Sequence, residues 1–201
     1  MSIVLAFSGG LDTSFCVPYL RETYNEKIYT VTVNTGGLPE SEAAHLASWS
    51  AELGSAGHQT IDARRALFDD LLSYLIKGNI LRGGVYPLSV GPERVVQARL
   101  VAEAAHHLGA RAVAHGSTGA GNDQVRFDGA LRLLGGDLEL ITPIRTLGYS
   151  RSQSAAYLRE RGFEVSEAKA TYSINKEYKD SLHNVARVQG KGSFDLHFKQ
   201  N

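Results

Sequence analysis

The chain has 201 residues, no formal net charge at pH 7 and a hydrophobic fraction of 43%. This length suits one domain with room for a small appendage, and the hydrophobic fraction excludes a disordered chain. The balanced charge argues against nucleic-acid binding, and no apolar stretch is long enough to cross a membrane. The single cysteine, Cys16, excludes a disulfide framework and a zinc site built from several cysteines. Without a signal-type N-terminus, we expect a cytoplasmic protein.

The first half of the chain alternates between strand and helix patterns. Residues 2–7 form a continuous apolar run, typical of a strand buried on both faces, and Ser8-Gly9-Gly10 ends it. Asp12 or Thr13 can cap a helix that runs to about Tyr24. The next predicted elements are a strand at 27–33, a helix at 39–53, a weaker strand at 58–61 and a helix at 63–77.

In the second half, residues 78–91 are polar and aromatic without a period, which predicts a loop. The elements predicted after it are a helix at 93–108, strands at 110–114 and 138–142, and a helix at 150–161. This alternation predicts an α/β fold, a Rossmann-like open parallel sheet with helices on both faces. We assign residues 1–170 to this domain and residues 171–201 to a short C-terminal tail.

Three glycine-rich loops follow predicted strand ends, at Ser8, Asn34 and Gly116. The carboxyl ends of parallel strands line one edge of an open sheet, and ligands bind at that edge. The loops therefore predict a ligand site before any family is considered.

The stretch from Ala6 to Ser14 (AFSGGLDTS) carries a specific chemical signal. Its glycines let backbone N–H groups converge, its hydroxyls add donors, and the following helix adds partial positive charge, which together form an anion cradle. Asp12 is then the predicted Mg²⁺ ligand, directly or through water. The pattern lacks the Gly-Lys-Ser/Thr of a Walker A loop and the spacing of a dinucleotide loop. An ordinary Gly-Gly turn with a polar cap is the alternative.

The form Ser-Gly-Gly-Xaa-Asp-Xaa-Ser resembles the loop of ATP pyrophosphatases. The stretches 6–14, 114–127 (AHGSTGAGNDQVRF) and 172–175 (YSIN) resemble argininosuccinate synthase, and the resemblance covers about residues 1–176. It implies an adenine nucleotide alpha-hydrolase-like fold and an ATP-dependent, Mg²⁺-requiring ligase of arginine biosynthesis. Such an enzyme adenylates the ureido oxygen of citrulline with release of pyrophosphate. It then condenses the intermediate with aspartate to give argininosuccinate and AMP.

The resemblance also implies roles for individual residues. Those implied for ATP are Ala6, Phe7, Ser8, Gly9, Gly10, Leu11, Asp12, Thr13, Ser14, Val33 and Gly116. Those implied for aspartate are Thr118, Asn122 and Asp123. Those implied for citrulline are Tyr86, Asn122, Arg126 and Ser173. Among all of these, the predicted catalytic residues are Asp12, Asp123 and Arg126.

Several of these residues have a plainer interpretation. Arg126 and Asp123 alternatively form a surface ion pair, and Tyr86 is alternatively a half-buried loop aromatic. His115 is predicted only to hydrogen-bond the backbone. A buried position is expected for Cys16, and Trp49 is expected to pack in its helix.

The sequence departs from the family pattern in two places. Gly91 stands where the family has a small hydroxyl residue that helps to bind citrulline. At 171–201 we expect a short divergent tail in place of the family's second domain. We expect small-molecule substrates and a homo-oligomer or a partner subunit. The alternative function is an ATP- or AMP-binding module, or a half-enzyme without complete ligase activity alone. Another pyrophosphatase-loop activity, such as tRNA thiolation, is disfavoured by the single cysteine and the neutral charge.

Overall fold

The computed structural model describes residues 1–82, 86–87, 90–119 and 123–165, with only the backbone described for residues 82, 86, 87, 90 and 123. The strands are β1 Ser2–Ala6, β2 Lys27–Asn34, β3 Gly57–Asp62, β4 Leu81–Arg82, β5 Tyr86–Pro87, β6 Ala112–His115 and β7 Glu139–Ile141. The helices are α1 Leu11–Tyr24, α2 Glu40–Glu52, α3 Arg64–Leu67, α4 Ser73–Lys77, α5 Val90–His107, α6 Asp123–Leu134, α7 Pro143–Leu147 and α8 Arg151–Glu160. A π-helical turn, Phe68–Leu72, joins α3 to α4.

Five strands form one parallel sheet in the order β3-β2-β1-β6-β7. In its central strand, Ile3 pairs with Ile28 of β2 on one side and with Ala112 of β6 on the other. The chain moves outward from β1 to β3 and then returns to the opposite side of β1. Ligands bind where the strand order reverses in this way, so the topology points to the carboxyl ends of β1 and β6.

Helices cover both faces of the sheet, as the alternating pattern predicts. Val4 belongs to an apolar cluster with α5, α6 and the helical segment 64–77. Ile3 and Leu5 belong to a second cluster, with α1, α2, α7 and α8. All three side chains are fully buried, which explains why β1 reads as a continuous apolar run. The predicted fold class is confirmed.

The start of α1 differs from the prediction. The helix begins at Leu11, and its N-cap is Gly10, in extended conformation and without a side-chain cap bond. Asp12 and Thr13 therefore lie inside the first turn, and the prediction that either residue caps the helix is wrong. The physical reason is the positive φ of Gly9 (69°), which turns the chain early enough for the helix to begin at once.

The second half of the fold contains elements that the pattern did not predict. The predicted loop 78–91 includes the antiparallel pair β4–β5 and the first two residues of α5. The helices α6 and α7 were also missed. In α6, the buried residues Phe127, Ala130 and Leu131 have helical spacing, but the exposed Leu133 and Leu134 blur the apolar stripe. The predicted tail at 171–201 lies outside the described residues.

Within the described part of the chain, no helix combines the length and the apolarity that a membrane crossing requires.

Candidate functional site

Hydrogen bonds to β2 determine where the loop after β1 leaves the sheet. The Phe7 N–H donates to the carbonyl of Val31 at 2.8 Å, and Thr32 Oγ1 donates to the carbonyl of Phe7 at 2.6 Å. Both Phe7 and Thr32 are buried. The loop therefore starts from a rigid point at the centre of the sheet.

The turn of this loop requires glycine at position 9. A Cβ on Gly9 would lie 2.2 Å from Leu46 Cδ2, and the residue has a positive φ. Trp49 lies one turn further along α2, and its Nε1 donates to Ser14 Oγ at 2.8 Å. Helix α2 thus packs against the turn and also holds the start of α1.

The hydroxyl groups of the loop make long hydrogen bonds to the loop itself. Thr13 Oγ1 donates to the carbonyl of Gly10 at 3.2 Å and accepts from the Ser8 N–H at 3.4 Å. Ser14 Oγ lies 3.4 Å from the carbonyl oxygen of Gly9. Such bonds normally measure about 2.5–3.0 Å for hydroxyl donors and about 2.7–3.2 Å for N–H donors, so these bonds within the loop are weak.

The first turn of α1 points its N–H groups at the same place. The first intrahelical bond runs from the Ser14 N–H to the carbonyl of Gly10, at 2.9 Å. The N–H groups of residues 11–13 precede that bond, and such groups bind anions at helix N-termini. Loop hydroxyls and helix N–H groups thus lie together, in the arrangement that the sequence predicts as an anion cradle.

The loop after β6 touches the loop after β1. A Cβ on Gly116 would lie 3.1 Å from the backbone nitrogen of Thr13 and 3.1 Å from the carbonyl carbon of Asp12. The strands before the two loops are neighbours, with Ala6 opposite His115. The predicted convergence of these two glycine-rich loops at one edge of the sheet is confirmed.

The loop after β2 is held by a buried carboxylate. Thr35 Oγ1 donates to Glu93 Oε1 at 2.6 Å, and Gln97 Nε2 donates to the same oxygen at 3.3 Å. Glu93 is 1% exposed and lies in the first turn of α5. This contact joins the third loop of the edge to α5.

His115, at the end of β6, organises the loop that follows it. The Ser117 N–H donates to His115 Nδ1 at 3.2 Å, and His115 Nε2 lies 2.8 Å from Asp128 Oδ1. A backbone N–H can only donate, so Nδ1 accepts and Nε2 carries the proton donated to Asp128. Burial lowers the pKa of His115 despite the opposing effect of Asp128, which favours the neutral imidazole.

Arg145 completes this connection. Its Nη2 donates to Asp128 Oδ2 at 2.7 Å, and its Nη1 donates to Gln124 Oε1 at 3.1 Å. Gln124 Nε2 then donates to the carbonyl of Gly119 at 2.7 Å. Burial raises the pKa of Asp128, but hydrogen bonds from Arg145 and His115 outweigh it and hold the pKa below its ordinary value. These connected side chains form the loop anchor, which consists of His115, Asp128, Arg145 and Gln124.

Asp12 lies beside the cradle and pairs with a distant arginine. Arg151 Nη1 donates to Asp12 Oδ2 at 3.2 Å, and the two side chains are 28% and 18% exposed. Burial raises the pKa of Asp12, while the charge of Arg151 opposes that shift.

A cavity of about 280 Å³ opens against the loop after β1. Gly9, Leu11 and Ser14 contribute to its wall, opposite residues of α2 and of the segment 158–165. A second cavity, of about 380 Å³, is lined by residues of the segment 68–77 and by none from the three loops. Of these two cavities, only the first touches a loop of the site.

The model of the arginosuccinate synthase N-terminal HUP domain matches residues 2–164. The chain belongs to the argininosuccinate synthase family. The argininosuccinate synthase of Xylella fastidiosa is 44% identical over 179 residues, which are 87% of this chain and 44% of that protein. The enzyme of Saccharolobus solfataricus is 42% identical over 176 residues, 88% of this chain and 44% of that one. The chain thus spans less than half the length of these argininosuccinate synthase relatives.

Many solved structures resemble the fold, and one of them illustrates the likeness. It is described as a predicted subunit of tRNA methyltransferase from Methanocaldococcus jannaschii, and it superposes with a TM-score of 0.50. The two chains are 16% identical, and the match covers 88% of this chain and 94% of the other. At that identity the likeness concerns the fold alone.

Most residues that the argininosuccinate synthase resemblance implies for ATP lie together. The stretch 6–14 and Gly116 are in contact, and Val33 lies near the end of the neighbouring strand β2. Leu11 and Val33 have buried side chains that pack in the two apolar clusters. At those two positions the side chains therefore contribute to the core.

The residues implied for aspartate and citrulline are described less completely. Thr118 is exposed in the loop after β6. Arg126 lies in the first turn of α6, and a Cβ on Gly91 would be 3.5 Å from its Nε, so a small side chain fits at position 91. Asn122 and Ser173, together with the side chains of Tyr86 and Asp123, lie outside the described residues. The alternative of an Arg126–Asp123 ion pair therefore stays a prediction.

The plainer interpretations of Cys16 and Trp49 are confirmed, and that of His115 is confirmed only for its bond to the backbone. Cys16 is fully buried, and burial raises the pKa of its thiol. Trp49 packs in its helix against Phe163, although its hydrogen bond to Ser14 was not predicted. His115 does hydrogen-bond the backbone, but its pairing with Asp128 was also missed.

Four charged residues that organise the site were not predicted from the sequence: Glu93, Asp128, Arg145 and Arg151. For Glu93 a signal exists, because it stands three residues before the buried Val96 and so falls on the apolar stripe of α5. A carboxylate on such a stripe needs a buried partner. For the other three residues, no local pattern reveals the partner.

Proposed function

We propose that the chain provides the nucleotide site of an ATP-dependent carbon–nitrogen ligase that makes argininosuccinate from citrulline and aspartate. The ureido oxygen of citrulline attacks the α-phosphorus of ATP, and pyrophosphate leaves. The aspartate amine then displaces AMP from the adenylated intermediate.

The contact between Gly116 and the first turn of α1 carries this proposal. It joins the cradle for phosphate to the loop after β6, which leads to residues implied for both citrulline and aspartate. A cradle that holds the β- and γ-phosphates makes pyrophosphate the leaving group. An acceptor held by the adjoining loop then reaches the α-phosphorus. Catalysis of this kind depends mainly on positioning and on neutralising charge.

The roles of the substrate-binding residues follow the family resemblance. Arg126 suits a carboxylate of citrulline, because its guanidinium donates two parallel hydrogen bonds. Thr118 suits a carboxylate of aspartate, and Asp123 suits its ammonium group. Tyr86, Asn122 and Ser173 complete the proposed citrulline contacts.

Asp12 is the proposed Mg²⁺ ligand. Its carboxylate is partly exposed at the edge of the cradle. Within the described ranges, no three His, Cys, Asp or Glu residues converge on one point. Magnesium at nucleotide sites commonly uses one or two carboxylates together with substrate phosphates, so a single Asp12 fits. The ion would neutralise phosphate charge and hold the leaving pyrophosphate.

The test is pyrophosphate release by the 201-residue chain with ATP, Mg²⁺, citrulline and aspartate, each omitted in turn. We expect release that depends on citrulline, and argininosuccinate only when aspartate is present. Asp12→Ala should abolish both. ATP binding that is lost in Asp12→Ala, without citrulline-dependent release, would overturn the ligase and leave a nucleotide-binding module.

A further inference from the structure

Arg151 pairs with Asp12 but has no part in the proposed binding of ATP, Mg²⁺, citrulline or aspartate. The two partners are 139 residues apart in the chain, and the guanidinium reaches the carboxylate beside the anion cradle. Both side chains are partly exposed, so a ligand in the cradle can reach either of them.

The fold holds Arg151 in place from two directions. Arg151 is the first residue of α8, after a capping box in which Ser150 and Gln153 satisfy each other's backbone N–H groups. Further along, α8 packs on α1, where the rings of Phe15 and Tyr157 meet edge to face with centroids 4.8 Å apart. The guanidinium therefore starts from a rigid helix end packed against the helix that carries Asp12.

The charges at the cradle favour an exchange in which Arg151 leaves Asp12 and binds phosphate. An ATP phosphate that enters beside Asp12 meets a like charge, which Mg²⁺ removes by binding the carboxylate. A carboxylate that holds Mg²⁺ has less attraction for a guanidinium, and Arg151 is then close to phosphate oxygens. Guanidinium groups bind phosphate through paired hydrogen bonds, and these are among the strong hydrogen bonds of proteins.

We propose that Arg151 is a further nucleotide-binding residue, which pairs with Asp12 in the free site and with the β- or γ-phosphate when MgATP is bound. This inference rests on the proposed nucleotide site. The arginine then has two functions: it neutralises Asp12 before the ligand arrives, and it helps to retain the pyrophosphate portion of ATP afterwards.

The first test measures the affinity of the full chain for MgATP by calorimetry. Arg151→Met removes the charge but keeps a long side chain, and it should weaken binding about tenfold, as expected for one charged hydrogen bond. Arg151→Lys should fall between this variant and the wild type. The matched control is Arg159→Met, on the same helix, whose side chain contacts the carbonyl of Val165. It should leave the affinity unchanged.

A second measurement separates phosphate binding from the orientation of Asp12. Asp12→Asn is compared with the double variant Asp12→Asn/Arg151→Met for binding of ATP without Mg²⁺. A further loss of about tenfold in the double variant supports the phosphate contact. Equal affinities overturn it, because Arg151 then acts only through Asp12.

The remaining outcomes are also decisive. If the wild-type chain does not bind ATP, the nucleotide site itself fails. If the wild type binds MgATP and Arg151→Met binds it equally well, only the present inference fails. If Arg151→Met lowers the melting temperature and causes no loss of ATP affinity in the Asp12→Asn background, Arg151 has a structural role alone and the inference is overturned.

Discussion

The two loops that meet at the site are stabilised in different ways. The loop after β1 relies on its own backbone, its own hydroxyls and close packing against Leu46 and Trp49 of α2. The loop after β6 relies on charged and polar side chains from two later helices, through the loop anchor.

The first loop therefore depends on the fit of its backbone against its neighbours, and the second depends on electrostatic interactions. The first loop needs glycine where the chain turns and where a neighbour comes close, so its weakness is any added side chain. The second loop needs an ionised Asp128 between Arg145 and a neutral His115, so its weakness is a change of charge or of pH. Four variants test the distinction.

The largest effect is expected from Gly9→Ala. The new Cβ would meet Leu46 Cδ2, and the residue would keep a left-handed conformation, so we expect a loss of about 2–4 kcal/mol in the free energy of unfolding. Urea denaturation measures this loss, and ATP affinity should fall with it. Gly109→Ala is the matched control, because its φ is +58° and no described atom lies within 4 Å of its Cβ position. Equal losses in the two variants would show that the contact with Leu46 is unimportant.

Gly116→Ala tests the contact between the loops. Its Cβ would press on the backbone of residues 12 and 13, which yields less easily than a side chain, and about 1–2 kcal/mol of stability should be lost. Calorimetry should also show weaker ATP binding, because the first turn of α1 is displaced. Gly119→Ala is the control in the same loop, with open space at its Cβ position. Normal ATP binding by Gly116→Ala would contradict the proposed role of the contact.

Asp128→Asn weakens the loop anchor without a large change in shape. The loss of charge removes the ionic part of the contact with Arg145, and we expect a loss of about 1–2 kcal/mol in chemical denaturation. Asp69→Asn is the control, because its partner Arg65 is 92% exposed and surface ion pairs contribute less than about 1 kcal/mol. If the two variants lost equal amounts of unfolding free energy, the partial burial of the Asp128–Arg145 pair would add no stability over an exposed pair.

The smallest effect is a dependence of stability on pH. The folded pKa of His115 lies below its unfolded value of about 6.5, so the unfolded chain binds the proton more readily. The contribution of His115 to the free energy of unfolding is therefore constant above about pH 6.5 and is lost as the pH falls below that value. The slope cannot exceed about 1.4 kcal/mol per pH unit for one group. Denaturation between pH 7.5 and roughly pH 5 should show a shallower slope for His115→Gln, in which His58, whose pKa is also lowered by burial, still contributes. Parallel slopes for wild type and variant would contradict a buried neutral His115.

Much of the fold was predictable because its signals are local. The apolar run of β1 and the β-branched run of β2 are each contained within a few residues. Helix α6 was missed for the opposite reason, since it follows a glycine-rich stretch and carries exposed leucines near its end. The cap of α1 was misplaced because the turn at Gly9 is set by the packing of α2 and not by the polar residues that follow it.

The features of the site also fall into those set by near neighbours in the sequence and those set by distant residues. By itself, the sequence determined the α/β class and the glycine-rich loop at 8–14, because periodicity and turn chemistry act between near neighbours. Only the tertiary structure decided which charges meet. Arg151 reaches Asp12 across 139 positions, and Arg145 reaches Asp128 from a different helix. Such pairs depend on the path of the chain across the sheet, since a charged side chain does not specify its partner until the crossovers bring their helices together.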